Sequence, residues 1–300
     1  MINMFNEVRN NKIKSVVLIS VFIILIAGLG AGIGGLYGSF YFGVAMAVIF
    51  ASIYAIIAYY SGDSMLLSLS GAKEATKKDY PYLINTVEGL AVAAGLPTPK
   101  AYVIDDTALN AFATGRDPQH ASITVTTGLL KALNREELEG VVGHEMSHIK
   151  NFDVRFMMLT AVMVGIIMLM SDLLLRSFLW GGKGGSNDKK GGEITIILVV
   201  IGLVLAVLSP IIAQLIQMAI SRKREYAADA NGAILTRYPP GLANALKKIA
   251  KDPDPLVDKA NKATAHLYIS TPFRKKQSWL TTMFSTHPPI QERIKRLEAM

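Results

Sequence analysis

A chain of 300 residues with a net charge of +8 and 51% hydrophobic side chains is more apolar than an ordinary soluble protein. The absence of cysteine excludes disulfides and thiolate metal sites, so a transition metal must be held by histidine and carboxylate. Basic residues cluster at Arg222–Lys223–Arg224 and Arg274–Lys275–Lys276. No nucleic-acid motif accompanies them and several adjoin apolar runs, which favours an anionic lipid surface over nucleic acid.

Four runs are long and apolar enough for a membrane helix, which needs about 20 residues. They cover Ser15–Gly35, Ser39–Tyr60, Phe156–Leu175 and Ile194–Ala213, the last staying apolar to Ile220. The first exceeds the length of a signal-peptide core, about 7–15 residues, and reads as an uncleaved anchor. The uncharged Leu36–Gly38 joins the first two runs as a tight hairpin. Glycines at 28, 30, 32 and 34 give G-x-x-x-G spacings suited to close packing within it.

The expected organisation is therefore a transmembrane hairpin (1–60), a polar segment (61–155), a third span (156–176), a glycine-rich external loop (177–193), a fourth span (194–220) and a second polar segment (221–300). Lys and Arg flank the N-terminus and both polar segments at membrane ends, which predicts that all three are cytoplasmic. The loop "WGGKGGSNDKKGGE" also carries lysines, against the charge rule, but the parity of four spans puts it outside. Parity also puts the two polar segments on one side, where they can complete one site.

Within the first polar segment "KAYVIDD" and "ASITVTT" alternate with β-branched residues and predict strands. "NREELEGVVGHEMSHIKN" predicts a helix opened by a capping box of Asn134 and Glu137. The second polar segment reads as mainly helical, with "KDPDPLVDKANKA" a loop. No phosphate-cradling loop is present, so ATP-driven work by this chain is not expected.

His144-Glu145-Met146-Ser147-His148 is H-E-x-x-H. On a helix, residues four apart share a face, so both imidazoles can reach one ion. Zinc suits two nitrogens and a carboxylate with one position left for water, and Glu145 follows the first ligand where it can take that water's proton. A third ligand is needed. The metzincin pattern requires glycine and histidine where Asn151 and Val154 stand, and an intramembrane motif would not follow the charged "NREELEG". Glu225, in "ISRKREYAADANG", is the candidate, with Asp229 one turn on to accept the N–H of a ligating imidazole. The alternative that spacing leaves open is that Glu225 balances Arg222 or Arg224 on a solvated helix. His120 and His266 lie in no motif with a mechanism.

The chain resembles the HtpX-type membrane zinc proteases, related more distantly to the CaaX prenyl endopeptidases. The matching stretches are "NAFATGRDP" (110–118), "GHEMSHIKNFD" (143–153), "SRKREYAAD" (221–229) and "STHPPIQERI" (285–294), in the expected order and interleaved with the expected spans. The resemblance implies one zinc per subunit on His144, His148 and Glu225, with Glu145 as catalytic acid and base. It places Asn110, Ala111 and Phe112 on an exposed edge strand that binds substrate backbone. It gives His287, held by Pro288-Pro289 at the start of a C-terminal helix, a role in stabilising the oxyanion.

The fold class so expected is a mostly α integral membrane protein of four transmembrane helices, with an α+β zincin-like protease domain assembled from two cytoplasmic segments. The resemblance implies a cell-membrane endopeptidase that cuts damaged or misfolded membrane proteins without ATP or nucleic acid. The alternatives are a processing protease of the prenyl-endopeptidase type, which normally needs more spans, and a metal-binding scaffold, which would not need Glu145. A transporter would carry acids within the spans, where only Asp172, Gln214 and Gln217 stand near ends. If the third span's helix continues back unbroken, His148 stands about 12 Å above the bilayer. The same rise sets Glu225 about 8 Å beyond the fourth span, and "KNFD" is where the first helix could break.

Overall fold

The structure is a computed structural model that describes residues 4–181, 222–252, 267–269 and 288–300. The fourth expected span, most of the glycine-rich loop, His266 and His287 lie outside the described residues.

Helices α1 (Met4–Leu36) and α2 (Phe40–Leu69) are the expected hairpin, and both are long and apolar enough to cross a membrane. The connection needs a left-handed residue, supplied by Gly38 at φ 68. The glycines pack within the hairpin: a Cβ on Gly30 would collide with the Gly43 carbonyl, and one on Gly34 would lie 2.9 Å from the Gly43 Cα. Each helix runs past its apolar core, α1 starting before Ser15 and α2 continuing beyond Tyr60 to Leu69. Ile24, Ile49, Ile53 and Ile56 are exposed, a surface suited to lipid and costly in water. On α1, Leu18, Phe22 and Ile26 make the buried stripe, at helical spacing.

The third expected span falls within α6 (Asp153–Gly181), which packs on both helices of the hairpin. The Tyr54 hydroxyl donates to the Val162 carbonyl at 3.1 Å. Gly62 leaves room for Met158. Apolar side chains of α1, α2 and α6 thus form one core, which Ile104 and Phe112 join from the sheet.

The sheet has the order β1-β2-β4-β3. β1 (Lys73–Glu74) runs antiparallel to β2 (Lys100–Ile104), β2 parallel to β4 (Ala121–Thr126), and β3 (Ala111–Gly115) antiparallel to β4. β2 and β4 are the two strands expected from alternation. β3 is rich in Ala, Thr and Gly and is an edge by topology, but its five residues are buried. Ile269 N–H donates to the Ala111 carbonyl at 2.8 Å, so part of this edge is already covered.

A second core lies on the sheet's other face, where Ala101, Val103, Ala113, Ile123 and Val125 meet α3 (Pro81–Ala94) and α5 (Arg135–Lys150). α4 (Thr127–Ala132) leads from β4 toward α5. α5 opens on the expected capping box, and Glu136 and Glu137 lie at its dipole-favoured first turn. Almost all of α5 from Glu137 to Ile149 is buried, because α7 (Arg222–Thr236) and α8 (Pro239–Ala250) cover its remaining sides. α9 (Ile290–Glu298) starts after Pro289 and packs on α7 and α8. Among the described residues the fold is mostly helical with one small sheet, and α5 is its central element.

Candidate metal centre and active site

His144 and His148 share one face of α5, and Glu225 reaches them from the first turn of α7. Their ligand atoms all lie within 4.8 Å of one another, and all three residues are buried. The two Nε2 atoms are 3.2 Å apart; Glu225 Oε2 is 3.8 Å from the first and Oε1 3.5 Å from the second. Two nitrogens bound to a tetrahedral zinc would stand about 3.3 Å apart. Arg224, one of the suggested counter-charges of Glu225, reaches Asp153 Oδ1 at 3.6 Å.

The approach of α7 to α5 depends on glycine. A Cβ on Gly232 would lie 2.9 Å from the His144 amide nitrogen and 3.1 Å from the Gly143 carbonyl carbon. Both atoms are backbone, so Gly232→Ala must push the helices apart. We expect it to cost about 1–3 kcal/mol and to weaken zinc binding. Thermal unfolding and chelator competition check this, and an unchanged zinc affinity would contradict the packing argument.

Each imidazole is oriented by its own carboxylate. His144 Nδ1 lies 3.0 Å from Asp229 Oδ1, the contact expected from spacing, and His148 Nδ1 lies 3.0 Å from Asp153 Oδ2. With each Nδ1 proton donated to its carboxylate, both Nε2 atoms are aimed at one gap. A dication such as zinc placed there can take both nitrogens and the Glu225 carboxylate, so these donors fit it.

Asp153 can do this because α5 and α6 are separate helices. α5 ends at Lys150, Asn151 caps it, and Phe152 takes a left-handed φ of 59. On an unbroken helix, Asp153 would sit about 140° around the axis from His148. The turn folds it back instead. The Lys12 ammonium, 4.5 Å from the Phe152 ring centroid, and the Arg155 guanidinium, at 5.0 Å, flank this uncommon conformation. Helix continuity from the metal motif into the third span is therefore ruled out at "KNFD".

Glu145 is 2% exposed and accepts a hydrogen bond from the Ala113 amide of β3. Burial pushes its carboxyl up to about 7, helped by the charge of Glu225 and opposed by His148 and Arg293. A value near neutrality suits a group that must take and return one proton. Burial lowers His144 despite its bond to Asp229. For His148, burial is outweighed by the Asp153 hydrogen bond and the Glu225 charge, which push it up to about 9. A bound dication would displace that proton.

Arg293 is 1% exposed and lies at the centre of the site. Its Nε and one terminal nitrogen donate to the two oxygens of Asp229, at 2.9 and 2.7 Å. Its other terminal nitrogen donates to the Ile269 carbonyl at 3.1 Å and lies 3.7 Å from Glu225 Oε2. Burial would raise Asp229, but Arg293 and His144 outweigh it and hold the carboxyl down at about 2.

Asp153 and Arg293 were both missed as functional residues on the sequence. Each stands inside a motif already singled out, "GHEMSHIKNFD" and "STHPPIQERI", which is the signal that could have found them. Of the substrate-binding candidates, Asn110 is buried, its amide donating to Thr126 Oγ1 and its carbonyl accepting from Thr126 N–H. Ala111 carries its carbonyl outward to Ile269. Phe112 pairs with Thr124 in the ladder and sets its ring edge-on to Tyr268 at 5.1 Å. The outward groups next to Glu145 therefore belong to Ala111 and Ala113, by the alternation of an antiparallel ladder.

With this geometry in hand, comparison with known proteins is specific. Residues 77–300 match peptidase family M48. A protease HtpX homolog of Dictyoglomus turgidum is 51% identical over 243 residues, covering 81% of this chain and 77% of that one. One from Streptococcus mutans is 44% identical over 299 residues, covering 98% and 99%. The crystal structure of S. mikatae Ste24p shares the fold at a TM-score of 0.51 and 19% identity, over 98% of this chain and 67% of that one. A buried His-His-Glu trio beside a buried glutamate is what a metal-dependent peptidase requires, and the chain belongs to peptidase family M48 as an HtpX-type metalloprotease.

Proposed function

We propose that the chain is a multi-pass zinc endopeptidase of the cell membrane that cuts extended cytoplasmic segments of damaged or misfolded membrane proteins without ATP. The observation that carries this reading is Asp153, which orients His148 and is the first residue of the helix holding the third apolar run. A metal centre whose His148 is held from the first turn of such a helix would stand at the membrane surface, where emerging segments pass.

In this reading His144, His148 and Glu225 hold the zinc, with Asp229 and Asp153 fixing the imidazoles. Zinc, when bound, supplies the Lewis acidity that polarises the scissile carbonyl. Glu145 takes a proton from the attacking water as its oxygen bonds to the carbonyl carbon. It returns that proton to the amine nitrogen as the C–N bond breaks. In this reading an extended peptide adds along the outward edge of β3 at the Ala113 carbonyl, beside the Ile269 contact that already covers Ala111. Such addition favours unfolded segments over folded domains. His287 is the residue proposed to donate to the oxyanion. The burial of Glu145 beside the ligands favours catalysis over a scaffold, which would have no use for it.

The test is a proteoliposome carrying the chain and a membrane-tethered substrate whose cytoplasmic segment is either unfolded or folded. Cleavage of the unfolded segment should fall to background on chelation and return with zinc, while the folded segment stays intact. Cleavage that survives chelation, or equal cutting of both substrates, would contradict the proposal.

A further inference from the structure

Asn11 lies in the basic N-terminal flank, a stretch that reads from sequence as solvated, yet it is 0% exposed. It heads the buried stripe of α1 that continues through Ser15, Leu18, Phe22 and Ile26. A buried amide must find partners, and those of Asn11 are informative. Its Nδ2 donates to Asp153 Oδ1 at 2.7 Å and to the Asn151 carbonyl at 2.9 Å. Its Oδ1 accepts from the Arg224 guanidinium at 3.4 Å.

These contacts reach both halves of the metal centre. Asp153 holds His148 with its other oxygen, Asn151 caps the helix bearing His144 and His148, and Arg224 directly precedes Glu225. One amide on the N-terminal helix therefore braces the turn that returns Asp153 to His148 and the strand of chain that presents Glu225. It occupies one oxygen of Asp153 and leaves the other to the imidazole. A carboxylate with both oxygens engaged cannot rotate freely, so the ring it holds keeps its tautomer and direction.

We infer that Asn11 is a positioning residue of the metal centre, through which the seating of the N-terminal membrane helix sets the zinc affinity of His148. This rests on the zinc reading given above. A bland alternative exists: Asn11 merely docks α1 against α6 and affects only overall stability. The two differ in a measurable way, because docking can be weakened on the same stripe without touching Asp153.

The experiment uses the full chain in detergent, with zinc affinity measured by competition with a chromophoric chelator and the apoprotein's thermal midpoint measured alongside. Asn11→Ala removes the whole amide, and Asn11→Ser keeps one donor should the first variant fold poorly. Leu18→Ala weakens the same helix face with no link to the site. We expect Asn11→Ala to weaken zinc binding about tenfold and Asn11→Ser to weaken it less. Leu18→Ala should lower the midpoint and leave zinc affinity unchanged. In an Asp153→Ala background the Asn11 substitution should weaken affinity much less than in the wild type, since only the Asn151 and Arg224 contacts remain to be lost. Zinc affinity within about twofold of wild type in both Asn11 variants would overturn the inference, as would an equal loss in Leu18→Ala. A wild-type chain that takes up no zinc would remove the metal reading itself, whereas normal wild-type binding with unmoved variants removes only the role of Asn11.

Discussion

Glu145→Gln should keep a full complement of zinc and lose cleavage by about 10²–10⁴-fold, the usual range for removing a general base. The amide is isosteric and can still lie against β3, so the site's shape is preserved. What it lacks is a site for the water's proton. The substitution also removes a buried acid that desolvation already pushes up to about 7, so folding should not suffer. Bound zinc measured by elemental analysis, beside the cleavage rate on one unfolded substrate, checks both halves. Cleavage that persists in zinc-loaded Glu145→Gln would show that another group carries the proton.

The second large effect is on stability. Arg293→Met keeps an unbranched apolar stem and removes the guanidinium charge that faces Asp229 and Glu225. Both carboxylates are buried, and breaking a buried pair by deleting one partner costs about 3–5 kcal/mol. The Ile269 carbonyl loses a donor at the same time. Zinc should offset part of this loss, since a dication beside Glu225 supplies some of the missing positive charge. The apoprotein is therefore expected to lose more than the zinc-loaded protein, in thermal unfolding of each with and without the substitution. Equal losses in both forms would mean that Arg293 serves Asp229 alone.

Features set by local pattern were legible in the sequence. Alternating β-branched residues placed β2 and β4, and Asn134 with Glu137 placed the start of α5. The His144–His148 and Glu225–Asp229 spacings each put two groups on one helix face. The structure aims His144, His148 and Glu225 at one point, with Asp229 behind the His144 ring at Nδ1. Features set by tertiary contact were not. β3 has no β-branched alternation, because its place is decided by pairing with β4 and burial between two cores. Asp153 needed a non-glycine residue at positive φ, which no local preference foretells. Arg293 and Asn11 carry groups that read as solvent-facing, and become buried only when another element supplies their partners.

X-ray anomalous diffraction at the zinc edge, from crystals of the zinc-loaded chain, reads the ligand set directly. A strong peak is expected between His144 Nε2, His148 Nε2 and the Glu225 carboxylate. The peak should disappear from crystals of Glu225→Ala. A peak held by other residues, or one that persists without Glu225, would contradict the ligand set on which the mechanism depends.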